Sequence, residues 1–268
     1  MEHSSDVASP AAALSLKKVS KQFGGLMAVS EVSFDVAEGS FTAIIGPNGA
    51  GKTTLFNLIT NLIRLTDGSV SYFGRPLAGL KGDALAAIGL IRTFQTARVF
   101  PGMSTLANVK TGGHLLTRAG LLAQMSWIPA TRNQERSLTA KAQALLEVIG
   151  LTRYASTPAH ELPIGAQKLV EIARALMARP RVLLLDEPAA GLNDSETAAL
   201  ATILRAVCLS GVTIVIVEHN MSLVTGADRV VVLDAGQLIA EGPPAVIAKD
   251  ERVIEAYLGS SEAQSGAA

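Results

Sequence analysis

Gly46-Pro47-Asn48-Gly49-Ala50-Gly51-Lys52-Thr53 matches the pattern G-x-x-x-x-G-K-[ST] at every fixed position. Glycines in such a run let successive backbone N–H groups curl around phosphate oxygens without Cβ clashes. A helix starting near Gly51 would add the positive end of its dipole. Lys52 would bring a point charge to the β- and γ-phosphates of a nucleotide, and the Thr53 hydroxyl would ligate magnesium. Thr54 would donate to a further phosphate oxygen. The alternative is a glycine turn that binds nothing. Its flanks argue against that, because residues 41–45 read as the strand before it and 53–60 as the helix after it.

A second cluster complements the first. Val182-Leu183-Leu184-Leu185-Asp186-Glu187 is an apolar run ending in two carboxylates. A carboxylate after such a run is held at the carboxyl end of a buried strand, where open α/β sheets bind their ligands. Asp186 would steer a hydrated magnesium ion, and Glu187 would act as general base on the attacking water.

The elements that must position these residues follow an α/β rhythm. Short β-rich runs alternate with helix-period segments, which indicates a largely parallel sheet. Closely spaced strands at 14–19, 32–36 and 41–45 suggest a small antiparallel region before the first helix. Leu138, Ala142, Leu145 and Ile149 share one helical face, with Gly150 placed to end that helix. Leu169, Ile172, Ala173 and Leu176 form a second stripe, stopped near Pro180. Leu200, Ile203, Leu204 and Val207 form a third, with Asn193 and Glu196 spaced as a capping box. Asp234-Ala235-Gly236 reads as a hairpin turn. Residues 1–13 and 260–268 are small and polar and read as disordered tails. The domain is expected over 14–259, with a core at 14–95 and 161–259 and a helical insertion at about 96–160.

Composition narrows the function classes. The 268 residues are 49% hydrophobic, enough for a sizeable core in one or two lobes. Lys+Arg 23 balance Asp+Glu 23, which argues against a large nucleic-acid-binding face. The single cysteine, Cys208, suits a reducing compartment and reads as a small core residue. The most apolar run, 212–217, is too short to cross a bilayer, and the N-terminus lacks the pattern of a secretion signal. Any membrane role is therefore expected to be peripheral.

The order of these motifs resembles the ATP-binding cassette (ABC) family from about residue 14 to 259. The resemblance implies a P-loop NTPase core with a mostly parallel sheet, an N-terminal antiparallel β subdomain and an inserted α-helical subdomain. It also assigns roles. Phe23 sits where the family stacks an aromatic on adenine, although core packing would also explain it. Gln95, in Arg92-Thr93-Phe94-Gln95, matches the glutamine that senses magnesium and the permease. His219 matches the switch histidine on the γ-phosphate, although a lone histidine is more often structural. The signature departs from the common Leu-Ser-Gly-Gly-Gln and reads Leu162-Pro163-Ile164-Gly165-Ala166-Gln167. Gly165 and its helix would still offer backbone N–H groups to a partner's γ-phosphate, but Pro163 replaces the serine hydroxyl.

Three further stretches narrow the resemblance to the branched-chain amino acid transporter branch, and within it to the first of two different ATPase subunits. They are 186–193, 217–221 and Val253-Ile254-Glu255-Ala256-Tyr257-Leu258-Gly259. The resemblance implies ATP with Mg2+, a second, non-identical ATPase subunit, two permeases and an extracytoplasmic solute-binding protein. It implies a place on the cytoplasmic face of the inner membrane. Related systems carry urea or short amides, so the solute stays open. Rival readings are a soluble cassette ATPase outside transport and a regulatory subunit with weak hydrolysis. Leu115, Leu116, Leu121, Leu122, Met125 and Trp127 form an apolar cluster that reads either as lobe core or as a groove for a permease helix.

Overall fold

A computed structural model of the chain describes residues 12–93, 98–113 and 129–265. Gln95 and the apolar cluster from Leu115 to Trp127 lie outside the described residues.

Strands β1 (Ala12–Phe23), β2 (Leu26–Ala37), β3 (Phe41–Ile45), β4 (Asp67–Tyr72) and β5 (Arg75–Pro76) are followed by β6 (Leu90–Arg92) and β7 (Val182–Asp186). The series continues with β8 (Thr213–Val217), β9 (Arg229–Asp234) and β10 (Gln237–Gly242). They form two sheets, in the orders β2-β1-β4-β5 and β10-β9-β3-β8-β7-β6. The first is antiparallel throughout. In the second, β3, β6, β7, β8 and β9 pair in parallel, and β10 closes one edge against β9 in the opposite direction.

The antiparallel sheet differs in membership from the sequence expectation. Residues 41–45 leave it and pair between β8 and β9 in the parallel sheet, where all five are buried. A run without polar alternation belongs in a strand covered on both faces. Their place is taken by β4 and β5, which follow the first helix.

The helices are α1 (Lys52–Ile59), α2 (Gly82–Ala87), α3 (Thr105–Thr111), α4 (Pro129–Val148) and α5 (Ile164–Met177). They continue as α6 (Asp194–Leu209), α7 (Met221–Val224), α8 (Pro244–Ile247) and α9 (Glu251–Ser265). The parallel sheet splits its side chains strictly between two cores. Ile44, Leu184, Val215 and Val231 face α1 and the antiparallel sheet, while Ala43, Leu183, Ile214 and Val230 face α6. Cys208 is buried on the α6 side.

A third core holds Val109, Leu138, Ala142, Leu146 and Ile149 together with Val170, Ala173 and Met177. Helix α5 thus serves both lobes, since its Ile172 and Ala175 pack in the sheet core. Its contact with the end of α3 is close: a Cβ on Gly112 would meet the Arg174 carbonyl oxygen at 1.8 Å. Gly150, at φ +71, follows α4 as its spacing suggests. Asn193 and Glu196 form the reciprocal capping box. Ala235 and Gly236, at φ +43 and +79, make a two-residue turn with both centres left-handed, between the paired Asp234 and Gln237. Helix α9 runs on past Gly259 to Ser265, because Ser, Glu, Ala and Gln there contain no helix breaker before Gly266.

Candidate active site

The loop between β3 and α1 is shaped by what cannot fit. Gly46 has φ +150, and a Cβ there would lie 2.0 Å from the Leu233 carbonyl oxygen. Gly51, at φ +95, would bring a Cβ to 2.6 Å from the Ala28 carbonyl. Only glycine allows this approach of backbone to backbone. The β9–β10 turn supports the loop from outside: Gly236 N–H donates to Ala50 O, and Ser30 N–H to Gly236 O.

Lys52 opens α1 with its side chain buried back into the loop. Nζ donates to Gly46 O at 2.7 Å and to Pro47 O at 2.9 Å. Burial pushes its pKa below the ordinary lysine value, against the pull of the Glu187 and Asp186 carboxylates. A cavity of about 540 Å³ opens above it, lined by Asn48, Gly49, Ala50, Gly51, Lys52, Thr53 and Thr54. Glu187 closes one side and Phe23, with Leu26 and Met27, another. Phe23 is 47% exposed, and the Lys21 ammonium lies 4.8 Å from its ring centre, so core packing does not hold it.

Asp186 and Glu187 end β7 in different ways. Asp186 is buried and bonded to Arg92, whose Nη2 donates to Oδ2 at 2.7 Å. Glu187 turns out of the strand at φ +47, an uncommon region for a residue with a side chain. Three hydrogen bonds act on its backbone. Its N–H donates to Val217 O at 2.9 Å, and its carbonyl accepts from both Lys168 Nζ and Ala190 N–H at 3.1 Å.

His219 lies exposed just beyond β8. The residue before it organises the loop. Glu218 is fully buried, with Oε1 accepting from Ala189 N–H at 2.7 Å and Oε2 from His219 and Asn220 N–H at 3.1 and 3.2 Å. Gly165 is buried in the first turn of α5, against Leu192 and Glu196 and away from the cavity lining. Pro163 caps that helix without a side-chain bond.

The structure therefore gathers Phe23, Asn48, Gly49, Ala50, Gly51, Lys52, Thr53, Thr54 and Glu187 around one cavity. Gly46, Pro47 and Asp186 lie buried behind it. Gly165 and His219 do not line it. Sequence reading missed four contributors: Arg92, Lys168, Glu218 and Tyr257. The Tyr257 phenol of α9 is hydrogen-bonded to the backbone of Gly46; burial raises its pKa and that bond partly lowers it again. Among the described residues no group of three or more His, Cys, Asp or Glu could hold a metal unaided. A hard cation would instead take the Thr53 hydroxyl, the Asp186 carboxylate and phosphate oxygens, a donor set that suits magnesium.

This fold and cavity define a P-loop nucleotide hydrolase. The chain matches a family model described as ABC transporter over residues 29–190, and one described as branched-chain amino acid ATP-binding cassette transporter over 237–263. It is 40% identical over 250 residues to the high-affinity branched-chain amino acid transport ATP-binding protein BraF of Pseudomonas aeruginosa, covering 92% of this chain and 98% of that one. LivG of Escherichia coli K12, with the same functional description, is 38% identical with the same coverage. A nucleotide-free ATP-binding cassette from an ABC transporter superposes with TM-score 0.79 at 32% identity, covering 92% of this chain and 98% of the other. The ADP conformation of such a cassette gives 0.80 at 32%, covering 92% and 99%. The chain belongs to the ATP-binding cassette transporter family, in its branched-chain amino acid branch. It is the ATP-hydrolysing subunit of a transporter, and no described helix is long and apolar enough to cross a membrane.

Proposed function

We propose that this ATPase energises uptake of branched-chain amino acids from the cytoplasmic face of the inner membrane. It would pair with a second, non-identical ATPase and two permeases, fed by an extracytoplasmic solute-binding protein. The near full-length similarity to BraF, joined to the branch-specific match at the C-terminus, carries this reading.

In the site, Lys52 and the loop N–H groups bind the β- and γ-phosphates, and Phe23 stacks on the base. Magnesium, when bound, neutralises charge on the phosphate oxygens, and Thr53, Asp186 and Gln95 are the residues to hold it and its waters. Glu187 takes the proton of the attacking water on its carboxylate, and His219 contacts the γ-phosphate. Gly165 offers its backbone to the partner's nucleotide.

A second cavity of about 560 Å³ lies between the lobes, lined by Ile91, Thr93, Phe100, Gly112 and Arg174 among others. Phe100 is 48% exposed beneath the Arg174 guanidinium, and Thr93 stands two residues before Gln95. This is where a cytoplasmic helix of the permease would seat. The test is co-purification of the full chain with its membrane partners, then uptake of labelled leucine and labelled urea in vesicles containing them. ATP-dependent leucine uptake is expected; uptake of urea or a short amide alone would reassign the solute.

A further inference from the structure

We infer that Arg92 is the counter-charge of Asp186 when no metal is bound, and that Arg92 and the divalent metal compete for this carboxylate. The inference rests on the reading of Asp186 as the metal-side carboxylate.

Asp186 is 4% exposed, and a buried carboxylate is costly unless it is paired. Its cation comes from the neighbouring strand. Arg92 stands opposite Leu184 in the β6–β7 register, so its side chain shares a sheet face with Leu184 and Asp186. Nη2 donates to Asp186 Oδ2 at 2.7 Å, while Nη1 donates to Asn57 Oδ1 at 2.7 Å and to Thr60 Oγ1 at 3.2 Å. The guanidinium carbon lies 5.5 Å from the Phe56 ring centre. One side chain thus ties the carboxylate to α1, the helix that begins with Lys52 and Thr53.

The seat is incomplete. Arg92 Nε is buried with no hydrogen-bond partner, although the side chain is only 9% exposed. An orphaned buried N–H is costly, so this seat does not hold the guanidinium by all of its donors. Room to move lies alongside, because Arg92 lines both the 560 Å³ cavity and a smaller one of about 210 Å³ next to Thr60 and Leu90. A divalent ion brings twice the charge to the same carboxylate. The two cations repel, so metal arrival loosens the arginine, and the arginine raises the metal concentration needed.

The experiment uses the full chain carrying Glu187→Gln, chosen to stall turnover on the proposed mechanism, and follows thermal unfolding at fixed ATP while MgCl2 is titrated from an EDTA-treated start. Arg92→Met, neutral and of similar length, is expected to unfold at a lower temperature without Mg2+. Its half-saturating Mg2+ concentration should fall about tenfold, because the competing charge is gone. Arg92→Lys restores a cation and should return the half-saturation toward the parent value. Should Arg92→Met not fold, Arg92→Gln takes its place with the same expectation. An unchanged Mg2+ half-saturation, with stability lost equally at all Mg2+ concentrations, would make Arg92 a helix pin and overturn the inference. The reading beneath it is tested separately by Asp186→Asn. If that change leaves the Mg2+ dependence of the parent intact, Asp186 is not at the metal, and both fall together.

Discussion

The ammonium of Lys168 donates to the main-chain oxygen of Glu187 at 3.1 Å, across 19 residues of sequence. Lys168 is buried one turn into the helix that starts at the signature, and Glu187 is the proposed base. On the proposed roles, the bond would tie the surface offered to one nucleotide to the group acting on another. Burial pushes the lysine pKa down, with Glu218, Glu171 and Glu187 pulling the other way.

Lys168→Met should lower kcat about tenfold, roughly 1.4 kcal/mol of barrier, while ATP affinity changes little. The reason is positional: the change removes one of the three backbone hydrogen bonds around Glu187 at φ +47, leaving those to Val217 and Ala190. Steady-state kinetics beside equilibrium binding of a fluorescent ATP analogue separates the two effects. Equal losses in both would show that Lys168 shapes the binding cavity instead.

On the proposed mechanism Lys52 and Glu187 act at different stages, so their variants should fail differently. Lys52→Ala removes the charge on the ground-state phosphates and should abolish most ATP binding. Glu187→Gln should keep binding, stall turnover and accumulate a closed ATP-bound dimer, visible by size-exclusion chromatography. Wild-type hydrolysis by Glu187→Gln in the assembled transporter would exclude it as the base.

Glu218→Gln keeps the shape and loses the charge at a site with 0% exposure. Its two oxygens accept three backbone N–H groups, and an amide can serve only one side of that arrangement. Stability should drop by about 1.5–3 kcal/mol, measured by urea denaturation. A loss below about 0.5 kcal/mol would mean that water replaces the carboxylate there.

Pro163 gives the signature no hydroxyl to offer, and its helix no side-chain cap. A missing charge-assisted hydrogen bond is worth about 1.5–3 kcal/mol. The two composite sites of the assembled dimer should therefore be unequal, and the chain alone should hydrolyse ATP poorly. Adding the non-identical partner is expected to raise the rate; full activity without it would show that a homodimer suffices.

Much of the site could be read from residues adjacent in sequence, because its parts are local. The glycines around Lys52 show their spacing within one loop, although the carbonyls that crowd Gly46 and Gly51 come from Leu233 and Ala28; Asn193 and Glu196 satisfy N–H groups within one turn, and Ala235-Gly236 reverses the chain in two residues. The carboxylates after 182–185 are placed by the strand that carries them. The strand at 41–45 is visible too, and its lack of polar alternation suits a strand covered on both faces, but only strand order seats it between β8 and β9. Nothing in the spacing of Arg92 and Asp186, Glu218 and Ala189, or Tyr257 and Gly46 announces that they meet. Periodicity reports which face of an element is buried, whereas these contacts depend on which strands become neighbours. That is decided when the apolar faces of the whole chain are buried together, so only the tertiary structure determines which charges share the interior.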